Sequence, residues 1–311
     1  METTYIAKAP ASISNLGPGF DCLGLALQGW HDTVEVTLTD TAPYTVEFDP
    51  TGAWMGPTNP EQNTASVAAK HVAEVSGYAG GVHMRIWKGV QAGSGLGSSA
   101  ASAVAGALAM NLALGSRFSK QELILSCLMG ESVVSGAMHG DNVIPSLMGG
   151  IVLVEPGNPE VYRRIEVPGD LHLSVILPRV EILTQQARTL LPDQVELHVA
   201  AQWASRLAQL IDAFGHGDVS RIGHLVMSDE VVEPIRASLL KPYHDIKRAA
   251  LLAGARGCAL SGSGPAMFAV CDSAQTASEV SSQMQQACSN HRIESLICTD
   301  SVNTKGAIKA N

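Results

Sequence analysis

The chain is poor in basic residues, with 20 lysines and arginines against 29 aspartates and glutamates, and its formal net charge is -9. Nucleic-acid-binding proteins usually carry a basic patch or stripe, so this balance argues against nucleic acid as a partner. Charged residues are only 16% of the 311 and hydrophobic residues are 46%, which is typical of a folded globular protein. An anionic ligand would have to be held by local donors.

Cysteine is scarce and dispersed. No two of the six cysteines form a C-x-x-C pair, which argues against a zinc site or a disulfide framework and favours a reducing, cytoplasmic location. Residues 1–10 contain no apolar segment of a signal peptide. The longest apolar-leaning run, residues 100–114, is too short to span a bilayer. We therefore expect no export signal and no membrane partner.

Glycine, in contrast, is common, with 30 residues, and three of them fall within five positions of the stretch Gly-Ser-Gly-Leu-Gly-Ser-Ser-Ala-Ala at residues 93–101. The alanine-rich segment 102–114 that follows has high helix propensity, so a loop that opens a helix is predicted. Such a helix start presents N–H donors and a positive dipole end to an anion. Ser98 and Ser99 add hydroxyls that can cap the helix or reach Mg²⁺. The stretch lacks the Walker ending and the dinucleotide spacing, and an ordinary turn before a buried helix is the alternative.

The residues before this loop predict mostly strands. Residues 4–8 form a short strand and residues 9–21 a Pro- and Gly-rich loop, in which Asn15 and Asp21 are either functional polar groups or turn formers. Alternating residues at 34–38 and 44–48 predict two antiparallel strands. A helix over 63–76, ended by Gly77, precedes a strand at 82–86 that leads into the glycine loop.

Behind the loop, Ser119 and Glu122 form a capping-box signature before a helix that continues to Val134. Glu131 falls on the apolar face of that helix, where an unpaired carboxylate is costly. Its partner is either a cation that bridges phosphates or a Lys or Arg in a buried salt bridge. The polar segment 139–145 is either a helix-terminating turn or a substrate loop.

The second half predicts an α+β two-layer pattern. The Pro- and Gly-rich residues 155–169 are expected to connect two domains, and a strand follows at 171–177. Further elements are a helix that places Thr184 and Arg188 on one face, a long helix over 193–214 closed by Gly215, two shorter helices with Arg236 between them, a glycine turn around Gly262, a helix over 273–288 and a strand over 293–298.

Three motifs together resemble the GHMP small-molecule kinases: Lys-Ala-Pro-Ala-Ser-x-Ser-Asn-Leu-Gly-Pro-Gly-Phe-Asp at 8–21, Gly-Leu-Gly-Ser-Ser-Ala-Ala at 95–101 and Leu-Ser-Gly-Ser-Gly-Pro at 260–265. The His-x-Asp-Asn at 139–142 and the Thr-x-x-x-Arg at 184–188 are similar to the branch that phosphorylates homoserine. The resemblance implies an α+β fold of two domains. Residues 1–160 would form a ribosomal-protein-S5-like α/β domain with the phosphate loop, and residues 161–311 a ferredoxin-like domain that completes the substrate site.

The resemblance also implies an activity, transfer of the γ-phosphoryl group of ATP to the side-chain hydroxyl of L-homoserine. The implied ATP-binding residues are Asn63, Gly93, Ser94, Gly95, Leu96, Gly97, Ser98 and Ser99, and the implied Mg²⁺ ligands are Glu131 with Ser98 or Ser99. The implied substrate-binding residues are Asn15, Asp21, His139, Asp141, Thr184, Arg188, Arg236 and Gly262.

The roles within that set follow from charge. Arg188 and Arg236 suit the carboxylate of an amino acid, and Asp21 suits its ammonium group. In other GHMP kinases a Lys and an Asp serve at the reacting hydroxyl, and those positions are Ser12 and Asn142 in this chain. Asn142 can orient the hydroxyl but cannot act as a base, so Asp141 is the next candidate for that role.

The chain departs from the family pattern at the loop entry, where Gln91 replaces the usual Pro and Ser94 replaces a commonly basic residue. These changes predict a more flexible entry or a lower phosphate affinity. The alternatives are a GHMP kinase for another small hydroxylated metabolite, such as mevalonate or shikimate, and a non-catalytic binding protein of this fold. A homodimer is a further open alternative.

Overall fold

The computed structural model of the chain describes residues 4–40, 43–136, 138–167, 169 and 171–310, and the side chains of Ser135 and Thr184 lie outside this description. Two β-sheets with helices packed on them make up the described structure. In the described part of the chain, no helix is long and apolar enough to cross a bilayer.

The first sheet has seven strands in the order β11-β1-β2-β4-β3, with β5 paired to β2 and β6 paired to β5. Its strands are β1 (Thr4–Asn15), β2 (Gly19–Thr39), β3 (Tyr44–Phe48), β4 (Gly81–Trp87), β5 (Ile151–Glu155), β6 (Asn158–Ile165) and β11 (Ile308–Ala310). The helices in this half of the chain are α1 (Thr64–Ser76), α2 (Ser98–Ala113), α3 (Ile124–Ser135) and α4 (Gly140–Met148).

Local signals explain the bounds of α1, which match the prediction. The side chain of Asn63 accepts a hydrogen bond from the backbone N–H of Ser66 and caps the first turn. Gly77 ends the helix with φ of 74°, a conformation that favours glycine. Helix α2 packs closely against α1 at Gly106. A Cβ at this position would lie only 2.8 Å from the carbonyl carbon of Ala65, so the close approach requires glycine.

The predicted loop at residues 9–21 is wrong, because β1 continues to Asn15 and β2 already begins at Gly19. Irregularities in the β1/β2 pairing follow Pro10 and Ser14, and a bulge accommodates the proline, which has no N–H for the ladder. The strand over 44–48 was expected to be antiparallel to 34–38. It pairs in parallel with β4 instead, through the crossover helix α1.

The segment 139–145 was predicted to be a helix-terminating turn or a substrate loop. It forms the start of helix α4 instead, and Pro145 lies inside that helix. Pro145 leaves the carbonyl of Asp141 without its usual helical donor, and Gly24 of β2 approaches that carbonyl so closely that a Cβ there would overlap it. The capping box between Ser119 and Glu122 forms, but it stabilises a turn just before α3.

The second sheet has the antiparallel order β10-β7-β9-β8. Its strands are β7 (His172–Pro178), β8 (Gly257–Leu260), β9 (Met267–Cys271) and β10 (Ser295–Ser301). The helices of this half are α5 (Thr184–Thr189), α6 (Leu197–His216), α7 (Val219–Val226), α8 (Val232–Ala237), α9 (Tyr243–Leu252) and α10 (Ala274–Asn290). Helices between β7 and β8, the β8/β9 hairpin, and α10 before β10 give the expected ferredoxin-like arrangement.

Three details of the second half differ from the sequence prediction. The long helix passes Gly215 and ends at Gly217, whose φ of 68° suits a helix cap. The expected connection at 155–169 contains β6, so a boundary between residues 160 and 161 would divide a strand of the first sheet. Arg236 lies between the two shorter helices, α7 and α9, as predicted, but within a further helix, α8, that was not predicted.

The two sheets share one hydrophobic core. Leu16 and Leu25 of the first sheet pack in the same buried cluster as Val175 and Phe268 of the second. The turn between β1 and β2 enters the second half of the molecule, where a Cβ on Gly17 would overlap the backbone of Val226. Because this packing fixes the two halves against each other, side chains of both can meet in one site.

Candidate active site

A cleft between the two sheets collects most of the residues that the sequence indicated. Its lining includes Asn15, Asp21, Asn63, Gly93, Ser94, Gly95, Gly97, Ser98, Ser99, Glu131, His139, Asp141, Asn142, Arg188, Arg236 and Gly262. Leu96 instead turns its side chain into the buried core. Thr184 begins α5, and its side chain lies outside the described residues.

The glycine loop has the conformation that its sequence suggests. Gly93, Gly95 and Gly97 all have positive φ, between 62° and 77°, where a side chain would be strained. The Ser261 hydroxyl donates a hydrogen bond to the Gly95 carbonyl at 2.5 Å, and the Ala266 N–H donates to the Ser94 carbonyl at 3.0 Å. The β8/β9 turn therefore holds the loop in place from the second half of the chain.

The helix α2 begins directly after this loop, four residues earlier than predicted, with Gly97 as its cap. The first-turn serines differ in what they bind. Ser98 donates its hydroxyl to the Val90 carbonyl at 2.9 Å, whereas the Ser99 hydroxyl hydrogen-bonds Glu131. The N-terminal end of α2 thus faces the cleft with backbone donors and one hydroxyl beside a carboxylate.

A buried network of charged and hydrogen-bonded groups lies behind the loop and was not predicted from the sequence. Lys88 lines the cleft and forms an ion pair with the buried Asp32, and its ammonium also donates to the Ser98 carbonyl and the Ser102 hydroxyl, both at 2.9 Å. Asp32 in turn accepts from the backbone N–H of Gly89 at 2.9 Å. Lys88 and Asp32 stand 56 positions apart, so no local pattern marks them as partners.

Two buried carboxyl groups, Glu131 on α3 and Asp141 on α4, lie in the cleft. Burial is the main cause that raises the pKa of each to about 7. The charge of Asp141 raises the pKa of Glu131 further, and Lys88 opposes that effect. The charge of Asp21 likewise raises the pKa of Asp141, whose Oδ1 has no hydrogen-bond partner among the described residues. Such carboxyls are suited to bind cations or exchange protons near neutral pH.

Two of the three ionic groups expected to bind the substrate ends, Arg188 and Asp21, pair with each other. Arg188 donates two hydrogen bonds to Asp21, at 2.9 and 2.8 Å. Arg236 is buried and donates to the Gly262 carbonyl at 2.9 Å. Burial and the charge of Arg188 lower the pKa of Arg236 to about 10, which is still a cation at neutral pH. Asn15 also donates to Gly262, at 3.3 Å.

Asn142 and Ser12 are hydrogen-bonded to each other, with the serine hydroxyl 2.9 Å from the Asn142 Oδ1. His139 stands one turn away at the start of α4, where burial lowers its pKa. The Asn142 amide and the His139 imidazole thus line the cleft, and the buried Ser12 hydroxyl holds the amide. These groups can orient a hydroxylated ligand by hydrogen bonds.

Two aromatic residues beside the arginines were also missed. The ring of Phe20 lies under Arg188 and Arg236, and Trp203 of α6 stacks on Phe20 at 6.1 Å. Phe20 stands next to Asp21 in the N-terminal motif, and this adjacency is the only sequence signal that pointed toward it.

The oxygen groups near the loop fit a magnesium ion that a bound nucleotide would complete. No cluster of three or more His, Cys, Asp or Glu able to hold a metal alone occurs among the residues described. Mg²⁺ in kinases commonly takes one or two protein oxygens together with substrate phosphates and water. Glu131 and Ser99, which touch each other beside the helix start, offer that donor set.

Family models match both halves of the chain. The model described as "GHMP kinases N terminal domain" matches residues 63–150, which contain the glycine loop and Glu131. The model described as "GHMP kinases C terminal" matches residues 210–290, which contain Arg236 and the β8/β9 turn.

Curated relatives and a solved structure extend this similarity over most of the chain. The homoserine kinase of Pyrococcus abyssi is 40% identical over 84% of this chain and 86% of its own length. That of Aeropyrum pernix is 35% identical over 97% of this chain and 95% of its own. The crystal structure of homoserine kinase from Cytophaga hutchinsonii superposes with a TM-score of 0.93 at 35% identity, over 100% of this chain and 98% of that one. The chain belongs to the GHMP kinase family, and within it to the homoserine kinases.

Proposed function

We propose that this protein phosphorylates the side-chain hydroxyl of L-homoserine with ATP and Mg²⁺, giving O-phospho-L-homoserine. The observation that carries the proposal is the meeting, in one cleft, of a helix start suited to an anion with a carboxylate and two arginines suited to an amino acid. The identity to homoserine kinases over most of the chain supports this substrate. The product is an intermediate of threonine biosynthesis.

The substrate end of the cleft is suited to a zwitterion. Arg188 and Arg236 provide two cations for a carboxylate, and Asp21 provides an anion for an ammonium group. A ligand that carries both charges can bind between Arg188 and Asp21, so that each of these two side chains keeps an oppositely charged partner. A hydroxy acid without an amine, such as mevalonate or shikimate, would separate the pair and leave Asp21 uncompensated, which is costly in a cleft.

The nucleotide end is formed by the glycine loop and the start of α2. Backbone N–H groups there suit the phosphates, and Asn63 lines the cleft near Pro57, to whose carbonyl its amide donates at 2.8 Å. Glu131 and Ser99 would hold the magnesium ion, which neutralises phosphate charge when it is bound. Lys88, paired with Asp32, donates to the Ser98 carbonyl and so supports the first turn of α2 from behind the loop.

Phosphoryl transfer needs positioning more than covalent help from the protein, because its transition state is commonly loose. Asn142 would orient the acceptor hydroxyl, since its amide lines the cleft beside Gly97 and is itself held by Ser12. Asp141, whose pKa is near 7, is the candidate to accept the hydroxyl proton in its ionised form.

A coupled assay of ADP release tests the proposal with a panel of acceptors: L-homoserine, 3-aminopropanol, mevalonate and shikimate. We expect L-homoserine to have the highest kcat/KM, and a phosphate ester to appear on its hydroxyl by phosphorus NMR. A higher kcat/KM for mevalonate or shikimate would replace the substrate assignment. Absence of turnover with every acceptor, despite ATP binding, would favour a non-catalytic binding protein.

A further inference from the structure

The ring of Phe20 is placed beneath two guanidinium groups at once. The Cζ atoms of Arg188 and Arg236 lie 5.4 and 5.2 Å from the ring centroid. On the ring, Trp203 is stacked at 6.1 Å with an interplanar angle of 25°. Phe20 belongs to β2 of the first sheet, whereas its three partners all come from helices of the second half. This ring therefore joins the two halves at the substrate end of the cleft.

The two arginines need such a partner because they repel each other. Asp21 balances the charge of Arg188 through a bidentate pair. Arg236 is only 3% exposed, and within the described residues it forms no ion pair and its Nε has no hydrogen-bond partner. The negative face of an aromatic ring attracts guanidinium groups without neutralising them. Phe20 can therefore hold both cations close together and leave them available to a ligand.

The backbone explains why the ring can reach this place. Asn15, Leu16 and Gly17 all have positive φ, of 73°, 51° and 79°, and so reverse the chain tightly between β1 and β2. Leu16 is buried in the core shared by both sheets, which anchors the turn. Asp21, also with positive φ at 57°, directs its carboxylate to Arg188 just after Phe20. One short segment thus delivers an aromatic ring and a carboxylate to the same two arginines.

We propose that Phe20, backed by Trp203, is a positioning residue that presents Arg188 and Arg236 together to a single substrate carboxylate. This inference rests on the proposed function, since it concerns how that substrate is recognised. It predicts that the ring acts on the KM for acceptors that carry a carboxylate. The KM for ATP and the kcat at saturating acceptor depend on the other end of the cleft and should hardly change.

Replacement of Phe20 by phenylalanine analogues with one, two and three ring fluorines tests the electrostatic part, because fluorine weakens the negative ring face while the ring keeps its shape. The homoserine KM should rise stepwise, by about three- to thirty-fold in total, as two cation–π contacts are weakened. The KM for 3-aminopropanol, which lacks the carboxylate, should stay constant across the series. A flat homoserine KM in folded, active protein would overturn the proposal.

Conventional variants test the packing part. Phe20→Leu and Trp203→Leu should raise the homoserine KM, and Phe20→Tyr and Trp203→Phe should restore it at least partly because they keep an aromatic face. Phe118→Leu is the matched control, since Phe118 packs on the first core away from the arginines. If Phe20→Leu raised the KM values of homoserine, 3-aminopropanol and ATP alike, the ring would be merely structural and the proposal would fail.

The parent enzyme separates a failure of this inference from a failure of the proposed function. If the parent does not phosphorylate homoserine, the substrate assignment fails before any variant is compared. If the parent prefers homoserine over 3-aminopropanol but the fluorinated series keeps that preference unchanged, the function stands and the role of Phe20 is refuted.

Discussion

Arg188 of α5 and Asp21 of β2 bind each other through two hydrogen bonds, 2.9 and 2.8 Å long, across 167 positions of sequence. The two groups that the sequence assigned to opposite ends of a substrate therefore compensate each other's charge in this structure. Pairing costs the two groups only part of their hydration, because the side chain of Arg188 is 38% exposed and that of Asp21 is 21% exposed. A zwitterionic ligand can exchange with this pair at little electrostatic cost.

The first prediction concerns the carboxylate contact. Arg188→Leu should raise the homoserine KM by roughly 30- to 1,000-fold, because a bidentate arginine contact in an enclosed site contributes about 2 to 4 kcal/mol. The KM for ATP should hardly change. Steady-state kinetics with 3-aminopropanol supply the comparison, since this acceptor lacks the carboxylate and should lose almost nothing further in the variant.

Arg256→Leu is a suitable control for this experiment, since Arg256 pairs with the exposed Asp272 away from the cleft. Its acceptor KM should match that of the parent. Equal losses for homoserine and 3-aminopropanol in Arg188→Leu would mean that Arg188 is structural, through its bond to Asp21.

The second prediction separates metal binding from stability at Glu131. Glu131→Gln should reduce kcat by on the order of a hundredfold or more, with partial recovery at high magnesium, because a ligand charge is lost. The ordinary pKa of this side chain, 4.5, is raised to about 7 by burial. The folded state therefore loses stability as pH rises from about 4.5 to about 7, and the full loss is present above pH 7. Gln should then raise Tm by about 2 °C or more at pH 8 without metal.

Differential scanning fluorimetry at pH 5 and pH 8, beside a magnesium titration of the rate, checks both parts. Glu74→Gln on the exposed surface of α1 is the control and should change neither quantity. An unchanged rate together with a lower Tm would favour the buried salt bridge considered from the sequence.

The third prediction concerns the pH dependence that Asp141 would cause. Burial, followed by the charge of Asp21, raises its pKa to about 7. As pH falls below about 7 the carboxyl becomes neutral and can no longer accept a proton, so kcat should fall in that range. Asp141→Asn should lower kcat by about a hundredfold or more if the group is a base.

Rate measurements from pH 5.5 to pH 8.5 at saturating ATP, homoserine and magnesium distinguish the two buried carboxyls. High magnesium should shift the ionisation of Glu131 to lower pH, since a bound cation favours the carboxylate. A fall below pH 7 that persists at high magnesium therefore belongs to Asp141. Retention of both the rate and this fall in Asp141→Asn would exclude Asp141 as the base.

The fourth prediction concerns Gly97, whose place in the glycine loop suggests only that a side chain would block the approach of a phosphate. A Cβ there would overlap the Ser12 hydroxyl and lie 2.8 Å from the Asn142 Oδ1, so a side chain disturbs the loop itself as well as the approach of a phosphate. Gly97→Ala should weaken ATP binding at least about tenfold and lower stability by more than the ~1 kcal/mol expected from positive φ alone.

Gly77→Ala is the matched control, because Gly77 has φ of 74° and no atom within 4 Å of its added Cβ. Gly77→Ala should lose only the stability that a positive φ costs a residue with a side chain. Its ATP affinity, measured by calorimetry, should equal that of the parent. Equal stability losses in the two variants, with ATP binding intact in Gly97→Ala, would remove the loop from the nucleotide site.

The sequence by itself determined the elements whose signals are local. Asn63 and Gly77 bound α1 because a side-chain cap and a left-handed residue act within one helical turn. Three alternate glycines marked the loop before α2, since only such residues adopt its positive φ without strain. The order of strands and helices in the second half predicted an α+β two-layer pattern, and the motif resemblance implied both the ferredoxin-like sheet and the kinase family.

Tertiary structure decided the features that depend on distant partners. Residues 9–15 belong to a segment, 9–21, whose prolines and glycines are typical of a loop, yet their pairing with β2, with a bulge after Pro10, keeps residues 9–15 in a strand. Helix α4 forms around Pro145 because Gly24 allows it to pack on β2. The Lys88–Asp32 pair, the Phe20 contacts and the Arg188–Asp21 pair join residues 56 to 216 positions apart. Such pairings depend on where the fold brings charges and rings together, and no sequence period records that.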